Sequence, residues 1–235
     1  MATSDLGVLV DLAYPIVMCE AVTRRYAVRG DEVVALDGVD LEVETGQLVA
    51  LAGPSGSGKS TLLAILGCID RPTSGRVRVV EQEVTGLGRK ERRYVRRRMV
   101  ATVLPQPADN VLLRRTGLDN VRIAARHRLA SVDPAKLLDV INAVGIGDFA
   151  ERTCATMSGG EQQRVALACA LVGGTPLVLT DEPTGALDAV SAATVIDALV
   201  RIAATGTTIV AATHDPHVIA AASTVIRLDH GRRVG

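Results

Sequence analysis

The most specific chemical pattern in this 235-residue sequence is the glycine-rich segment Gly53-Pro-Ser-Gly-Ser-Gly-Lys59-Ser60. It fits G-x-x-x-x-G-K-[ST] and lies between an apolar predicted strand and a predicted helix, which is the context that this pattern requires. Glycines let the backbone curl so that successive N–H groups surround phosphate oxygens, and the start of the helix adds partial positive charge. We expect Lys59 to reach the β- and γ-phosphates and the Ser60 hydroxyl to ligate Mg²⁺. The segment predicts a nucleoside triphosphate site formed by Gly53, Pro54, Ser55, Gly56, Ser57, Gly58, Lys59, Ser60 and Thr61.

Two adjacent acids follow the apolar run Leu177–Thr180. A carboxylate at a strand tip beside a phosphate loop holds Mg²⁺ through its water shell, a role that suits Asp181. Glu182, turned toward the γ-phosphate, is then expected to orient and deprotonate the attacking water. The alternative is an ordinary acidic pair on the surface. Its combination with the phosphate loop favours the catalytic interpretation.

A second glycine-rich helix start occurs in Met157-Ser-Gly-Gly-Glu-Gln-Gln-Arg164. Ser158, Gly159 and Gly160 offer a hydroxyl and free backbone N–H groups to an anion. This segment resembles the signature sequence of ATP-binding cassette (ABC) proteins. In that family the anion is the γ-phosphate of a nucleotide held by the phosphate loop of the opposing subunit. The resemblance therefore implies a homodimer of this chain that buries two ATP molecules between its subunits.

The other motifs of the family are matched in their usual order, and the resemblance covers residues 15–235. Gln106 is similar to the Q-loop glutamine and His214 to the switch histidine, although His214 taken alone is more often structural. Asp188 is similar to the D-loop aspartate. Tyr26 is similar to the aromatic that stacks on adenine, or equally to a packed tyrosine at a strand end. The resemblance implies a catalytic set of Glu182, His214, Gln106 and Lys59, with Mg²⁺ bound by Ser60, Gln106 and Asp181.

Three residues depart from the family pattern. Pro105 stands before Gln106 where an aromatic is common, which removes an N–H and restricts Leu104 to extended backbone. Cys169 replaces the usual arginine of the signature helix, and Met157 replaces the usual leucine. None of these changes affects a residue expected to contact phosphate or to activate water.

Finer features indicate a branch of the family. Leu66-Gly67, residues 71–75 and residues 181–185 resemble the ATPases of macrolide exporters, lipoprotein-releasing complexes and the cell-division regulator. This resemblance implies an integral membrane permease-type partner and a position on the inner face of the cell membrane. One alternative is a soluble ABC ATPase that regulates another enzyme or assembly without transport. A nucleotide-binding scaffold without hydrolysis is disfavoured because Glu182 and His214 are both present.

Composition limits the partners, cofactors and cellular locations to be expected for this chain. Hydrophobic residues make up 48% of the chain, which is typical of a globular protein. The formal net charge is zero, so no nucleic-acid partner is expected. The four cysteines are far apart, which favours buried structural thiols over a metal site or a disulfide framework. No stretch approaches the roughly 18 apolar residues of a membrane span. The N-terminus also lacks a basic signal region, so we expect a cytoplasmic protein.

Short apolar strands alternate with helical patterns, which predicts an α/β fold. The predicted class is a P-loop NTPase (RecA-like) with a mainly parallel sheet, antiparallel N-terminal strands and an inserted helical subdomain at about 107–160. Residues 1–14 are expected to form an N-terminal extension to a single domain over 15–235. The predicted strands cover residues 16–22, 47–52, 76–80, 99–104, 177–180, 207–212 and 224–228. The predicted helices include residues 59–66, 118–129 and 134–144, one that follows Gly159, and one with an apolar stripe at Val195, Ile196, Leu199 and Ile202.

Two segments suggest contacts with partners. Residues 89–98 contain seven basic residues around Glu91 and Tyr94. They are interpreted as a solvated helix face, as a surface for anionic lipid or an acidic partner loop, or as a nucleic-acid site. Residues 110–116, just after Gln106, combine three apolar residues with two arginines in a predicted loop. This loop is the predicted contact with the membrane partner, and anchoring of the loop to its own helices is the alternative.

Overall fold

The computed structural model describes residues 2–3, 9–10, 15–28, 30–128 and 133–234. The described strands, in chain order, are β1 Ala2–Thr3, β2 Leu9–Val10, β3 Val17–Val28, β4 Asp31–Val43, β5 Leu48–Ala52, β6 Ser74–Val79, β7 Gln82–Glu83, β8 Val100–Val103, β9 Leu177–Asp181, β10 Thr208–Thr213, β11 Thr224–Asp229 and β12 Arg232–Val234. The described α-helices are α1 Lys59–Leu66, α2 Arg89–Arg98, α3 Gly117–Arg128, α4 Pro134–Val144, α5 Gly159–Leu171, α6 Ala189–Ala204 and α7 Pro216–Ala221.

Two main sheets form the framework. The larger sheet has the order β12-β11-β5-β10-β9-β8, and all its neighbours are parallel except β11 and β12. The smaller sheet is antiparallel, with the order β4-β3-β6-β7. The predicted class, a P-loop NTPase with a mainly parallel sheet and antiparallel N-terminal strands, is confirmed.

Both faces of the larger sheet are covered, and this explains the apolar strands. Every residue of β5 is buried. Leu48 points into a core shared with α3 to α6, whereas Val49 and Leu51 point into a second core with α1 and the antiparallel sheet. Successive side chains of a strand point to opposite faces, so an uninterrupted apolar run is what a two-sided sheet needs. The carboxyl ends of these strands remain available for a site.

The antiparallel sheet extends further than predicted. β3 continues six residues beyond the predicted end at Val22, and β4 was not among the predicted strands. β4 begins with exposed residues and alternates between buried and exposed residues only in its second half. Its first half, two acids followed by the apolar run at residues 33–36, shows no alternation, and pairing with β3 rather than burial holds its exposed residues in place. The short elements β7, β12 and α7 were likewise not predicted.

The segment from 107 to 158 is helical in the parts that the structure describes. It contains α3, α4 and three short 3-10 helices, Pro107–Asn110, Gly147–Phe149 and Cys154–Thr156. Leu118, Val121 and Val144 share one hydrophobic core with Val178 of β9 and Ile209 of β10. The segment is therefore packed onto the sheet rather than separated from it. The expected N-terminal extension, residues 1–14, lies mostly outside the described residues. Of this extension the structure describes the antiparallel pair β1–β2 alone.

Candidate functional site

An open cleft of about 710 Å³ lies at the carboxyl ends of β5, β10 and β9. It is lined by Val33, Val34, Ala35, Gly53, Pro54, Ser55, Gly56, Gly58, Lys59, Ser60, Thr61, Pro105, Asp181, Glu182 and His214. Because β10 lies between β5 and β9, the loop after each of these strands opens into the same cleft. Crevices at this edge of a parallel sheet are the usual ligand sites of α/β folds.

The phosphate loop has the backbone geometry that its sequence predicts. Gly58 immediately precedes α1 with a φ of 102°, in the left-handed region that favours glycine. A Cβ atom at Gly58 would lie 2.5 Å from the Ala35 carbonyl oxygen, so a side chain there would force the loop away from β4. Gly53, with a φ of 153°, is equally restricted because its Cβ would lie 2.1 Å from the Leu228 carbonyl oxygen. The loop is thus a tightly fitted cradle of backbone atoms at a helix start.

Lys59 and Ser60 begin α1 and point toward the cleft. Lys59 is only 8% exposed, and its ammonium donates to the carbonyl oxygens of Gly53 (2.8 Å) and Pro54 (2.9 Å). Ser60 donates from Oγ to Oδ2 of Asp181 at 2.7 Å. Ser60 and Asp181, two of the three predicted Mg²⁺ ligands, are therefore direct neighbours in the fold, although they are 121 residues apart in the chain. Hydroxyl and carboxylate oxygens are the donors that Mg²⁺ prefers, so this pair fits the ion that the family implies.

Glu182 is held by two neighbours from the end of β10. Its Oε1 lies 2.7 Å from Nδ1 of His214, and its Oε2 accepts a hydrogen bond of 3.2 Å from the Thr213 hydroxyl. Glu182 also has a φ of 46° and donates its backbone N–H to the Ala212 carbonyl at 2.8 Å. A left-handed backbone at a non-glycine residue costs roughly 1–3 kcal/mol, and such strain is concentrated at functional sites. The turn fixes a carboxylate at the cleft wall beside an exposed imidazole.

Ser158 and Asp188 lie outside the cleft and form a separate surface. Ser158 caps α5 reciprocally with Glu161, whose N–H and carboxylate contact the Ser158 hydroxyl (3.2 Å) and N–H (2.8 Å). Asp188 caps α6 through Val190 and Ser191, both at 3.0 Å. A hydrogen bond from the Ser191 hydroxyl, followed by the two backbone bonds, lowers the pKa of Asp188. A Cβ at Gly160 would lie 2.7 Å from the Ser191 Cβ, so the two helix starts are packed together.

Gln106 lies at the predicted junction, but its side chain is exposed and is not among the residues that line the cleft, whereas that of Pro105 is. Asn110, which the sequence analysis did not single out for this role, stabilises the turn. Its side chain accepts from the Leu104 N–H (2.7 Å) and donates to the carbonyls of Leu104 (3.0 Å) and Gln106 (2.9 Å). The unusual proline is therefore accommodated in a closed turn that Asn110 braces.

Tyr26 is half-buried and also does not line the cleft. Its hydroxyl donates to Asp70 Oδ2 at 2.6 Å, and the Arg24 guanidinium lies 4.2 Å from its ring centre. Its cross-strand partner Val33 does line the cleft and is exposed. Burial raises the pKa of Asp70, but hydrogen bonds from Tyr26, the Arg71 N–H and Arg24 outweigh it and lower the pKa overall. Tyr26 is thus a strand-end tyrosine that the Arg24–Asp70 ion pair holds in place in the antiparallel sheet.

Two further residues support the catalytic turn and were not predicted. Thr184 donates to Asp215 Oδ2 at 2.6 Å, and Asp215 in turn accepts from the N–H of His217 at 2.8 Å. Burial tends to raise the pKa of Asp215, but these hydrogen bonds outweigh it and lower the pKa overall. The contact ties the loop after β9 to the loop after β10. The sequence signal was only the pair of short motifs, Asp181–Gly185 and Thr213–Asp215, which lie far apart in the chain.

Other chemistry is not indicated by the described residues. Burial raises the pKa of the Cys19 thiol to about 12, with Asp40 adding to the effect, and it raises that of Cys169 to about 12. Such thiols are not nucleophiles near neutral pH. Within residues 15–28, 30–128 and 133–234, no cluster of three or more His, Cys, Asp or Glu is arranged to hold a metal ion. No helix in the described part of the chain is long and apolar enough to cross a bilayer.

Comparison with known proteins agrees with this geometry. The ABC transporter family model matches residues 36–185. The chain is 40% identical over 222 residues to a macrolide export ATP-binding/permease protein, MacB 1/2, of Paracoccus denitrificans, covering 94% of this chain and 33% of that protein. It thus spans about a third of the length of this relative. It is 37% identical over 206 residues to an uncharacterized ABC transporter ATP-binding protein of Thermotoga maritima, covering 87% of each.

A solved structure agrees as well. The ATP-binding cassette MJ0796, in a dimeric post-hydrolysis state bound to ADP and Pi, matches with a TM-score of 0.81 and 32% sequence identity, covering 93% of this chain and 97% of that one. The fold that carries the cleft therefore has a counterpart in a cassette bound to ADP and Pi. The chain belongs to the ABC transporter family and is an ATP-binding cassette with ATPase activity.

Proposed function

We propose that two copies of this chain bind and hydrolyse ATP at their interface and thereby power a membrane transport or mechanotransmission complex. The observation that carries the proposal is the separation of two phosphate-binding helix starts within one chain. The phosphate loop lies in the cleft, whereas Ser158, Gly159, Gly160 and Asp188 do not line it. A second copy that presents its Ser158 surface to the cleft would complete both sites. The dimeric state of the MJ0796 cassette supports this arrangement.

In each site the chain's own residues supply binding and proton transfer. Lys59 and the loop N–H groups bind the β- and γ-phosphates. The adenine stacks at the edge formed by Tyr26 and its cross-strand partner Val33, of which Val33 lines the cleft. Ser60, Asp181 and Gln106 would hold Mg²⁺, which neutralises phosphate charge when it is bound. Glu182 accepts a proton from the attacking water, while His214 and Thr213 orient its carboxylate. The 2.7 Å and 3.2 Å contacts to Glu182 support this assignment.

The membrane partner is proposed to contact the loop from Asn110 to Thr116. Leu112 and Leu113 are 53% and 39% exposed, beside exposed Arg114 and Arg115. Buried Asn120 fixes this loop by accepting from the Leu112 N–H (2.6 Å) and donating to the carbonyls of Leu112 (3.2 Å) and Thr116 (2.9 Å). Apolar side chains held outward by a buried clamp are typical of a binding surface rather than of a loose loop.

This loop is connected to the nucleotide cleft. Asn110 braces the turn that carries Pro105 and Gln106, and Pro105 lines the cleft. A movement of Gln106 on closure of the dimer would therefore shift the loop as well, which is a hinge-type coupling. The ATP-binding/permease names of the MacB relatives support a permease-type partner and a position on the inner face of the membrane.

The test replaces Leu112 and Leu113 with Asp in the full chain and uses Val200→Asp, an exposed apolar site on α6, as the matched control. Because the loop lies outside the cleft, basal ATPase of the isolated chain is expected to survive. Co-purification with a co-expressed permease-type partner is expected to fail for the double variant and to persist for the control. If the double variant still forms the complex, the coupling surface lies elsewhere. ATPase activity without any co-purifying membrane protein in the wild type would favour the regulatory alternative.

A further inference from the structure

The strongest feature outside the proposed function is an uneven distribution of charge. The chain as a whole has 26 basic and 26 acidic residues. Residues 89–128, by contrast, contain twelve Lys and Arg against three Asp and Glu, an excess of nine positive charges in 40 residues. The rest of the chain therefore carries an equal negative excess. A neutral protein with this distribution has one strongly basic region, which its zero net charge concealed.

Helix α2 presents the densest part of this region to solvent. Its buried side chain is Val95, which packs in the core with Val100. Its outward face carries Tyr94 and one acid, Glu91, among five exposed cations: Arg89, Lys90, Arg93, Arg97 and Arg98. Tyr94 is 59% exposed. The helix is thus amphipathic in an unusual sense, because its solvent side is almost entirely cationic and carries one aromatic ring.

Two groups of cations on α2 have different roles. Arg96 donates to the Cys68 carbonyl at 2.6 Å and Arg92 to the Ile69 carbonyl at 3.4 Å, so these side chains fasten the helix to the end of α1. The exposed side chains of Arg89, Lys90, Arg93 and Arg98 have neither a hydrogen bond nor an ion pair with any residue that the structure describes. The first group holds α2 against the end of α1, and the second group is available for an external anion.

The basic face adjoins the surface proposed for the membrane partner. Arg97 donates from Nε to the His127 carbonyl at the end of α3, at 2.8 Å. His127 lines a cleft of about 380 Å³ together with Leu112 and Ile123. No residue of α2 lines that cleft. A partner segment that fills the cleft would therefore leave the cationic face of α2 uncovered beside it.

We propose that the outward face of α2 binds the anionic headgroups of a phospholipid surface. A cluster of cations with an interfacial aromatic suits a plane of phosphates, because each Lys or Arg is attracted to such a surface without specific geometry. The spread of free cations along ten residues favours a broad anionic plane over one acidic side chain. Duplex nucleic acid has a similar charge but does not account for an exposed tyrosine among the cations of α2.

The test measures vesicle binding and needs no membrane partner, so its outcome is independent of the proposed transport role. The probes are vesicles of phosphatidylcholine alone and of phosphatidylcholine with phosphatidylglycerol. One variant carries Arg89→Gln, Lys90→Gln, Arg93→Gln and Arg98→Gln. The matched control carries Arg76→Gln, Lys136→Gln, Arg227→Gln and Arg233→Gln, which removes the same four charges elsewhere. Basal ATPase is measured for all three proteins as evidence that they fold.

We expect the wild type and the control to bind phosphatidylglycerol vesicles and not pure phosphatidylcholine. The α2 variant should bind at least tenfold more weakly while keeping its ATPase activity, and 0.5 M salt should weaken wild-type binding because it screens the charges. The proposal is overturned if the wild type does not prefer phosphatidylglycerol, or if the two variants bind equally. It is also overturned if a 20-base-pair DNA duplex binds the wild type more tightly than the vesicles do.

Discussion

The two helix starts that we propose to bind phosphate, those of α1 and α5, are built in opposite ways. The N-cap residue of helix α1 is Gly58, which has no side chain to cap the helix. The first residue of the helix, Lys59, is buried against the loop carbonyls. Helix α5 begins at exposed Ser158, which is fully capped by Glu161 from its own first turn. The cleft at the start of α1 also contains side chains from distant parts of the same chain, Asp181, Glu182 and His214. The start of α5 is completed locally and faces outward.

This difference explains why one chain contains only half of each proposed site. Hydrogen bonds from the N3 residue satisfy the Ser158 cap, so the signature helix is stable without a ligand. Its position away from the cleft makes it available to a second copy. The cleft, in contrast, holds the groups that do chemistry and leaves one side open. The following predictions test whether the two starts act in this divided way.

The largest effect is expected from Glu182→Gln, which alters the chemistry of the cleft alone. The amide preserves shape but cannot accept the proton of water, so hydrolysis should fall by roughly 10²–10⁴-fold while ATP binding persists. ATPase rates and nucleotide binding check the first part. Size-exclusion chromatography with ATP should show an accumulated dimer. Wild-type turnover in this variant would show that Glu182 is not the base.

A second test joins Lys59→Ala and Ser158→Arg in mixed dimers, with each subunit carrying its own affinity tag. With the two changes in one subunit, both sites are damaged, because its phosphate loop and its signature helix serve different nucleotides. With the changes in opposite subunits, one site is damaged twice and the other stays intact. ATPase should therefore persist only in the second arrangement. Equal rates in the two arrangements would refute a shared interface.

The smallest effect is expected from Asn120→Ala, which leaves the cleft and the signature surface untouched. The substitution removes the side-chain clamp and leaves the Leu112 N–H without its partner, whereas the carbonyls of Leu112 and Thr116 keep backbone hydrogen bonds. We expect a cost of about 1–3 kcal/mol in the free energy of unfolding. Denaturant unfolding measures this loss, with the exposed neighbour Arg122→Ala as control. Basal ATPase should be retained while co-purification with the partner weakens. A loss of ATPase at full stability would mean that the loop acts on the cleft directly.

The sequence by itself determined the local parts of this protein. The spacing of Gly53, Gly58 and Lys59 fixes the phosphate loop, and the spacing of Ser158 and Glu161 fixes the cap of α5, because the interacting atoms lie within a few residues of each other. The same locality made α1 and α4 predictable at both ends. Strand β4 was missed, because its exposed first half is held by pairing with β3 rather than by burial.

Tertiary structure alone decided which motifs meet. The chain order of the parallel strands is β5, β8, β9, β10 and β11, yet the sheet order is β11-β5-β10-β9-β8. That order brings Ser60 to Asp181 and His214 to Glu182, and it leaves Ser158 outside the cleft. Parallel neighbours are paired through long crossovers, so no local spacing encodes which strand tips become adjacent. The same packing placed Arg97 of α2 against the end of α3, where His127 and Leu112 line a second cleft, an arrangement that no local spacing encodes.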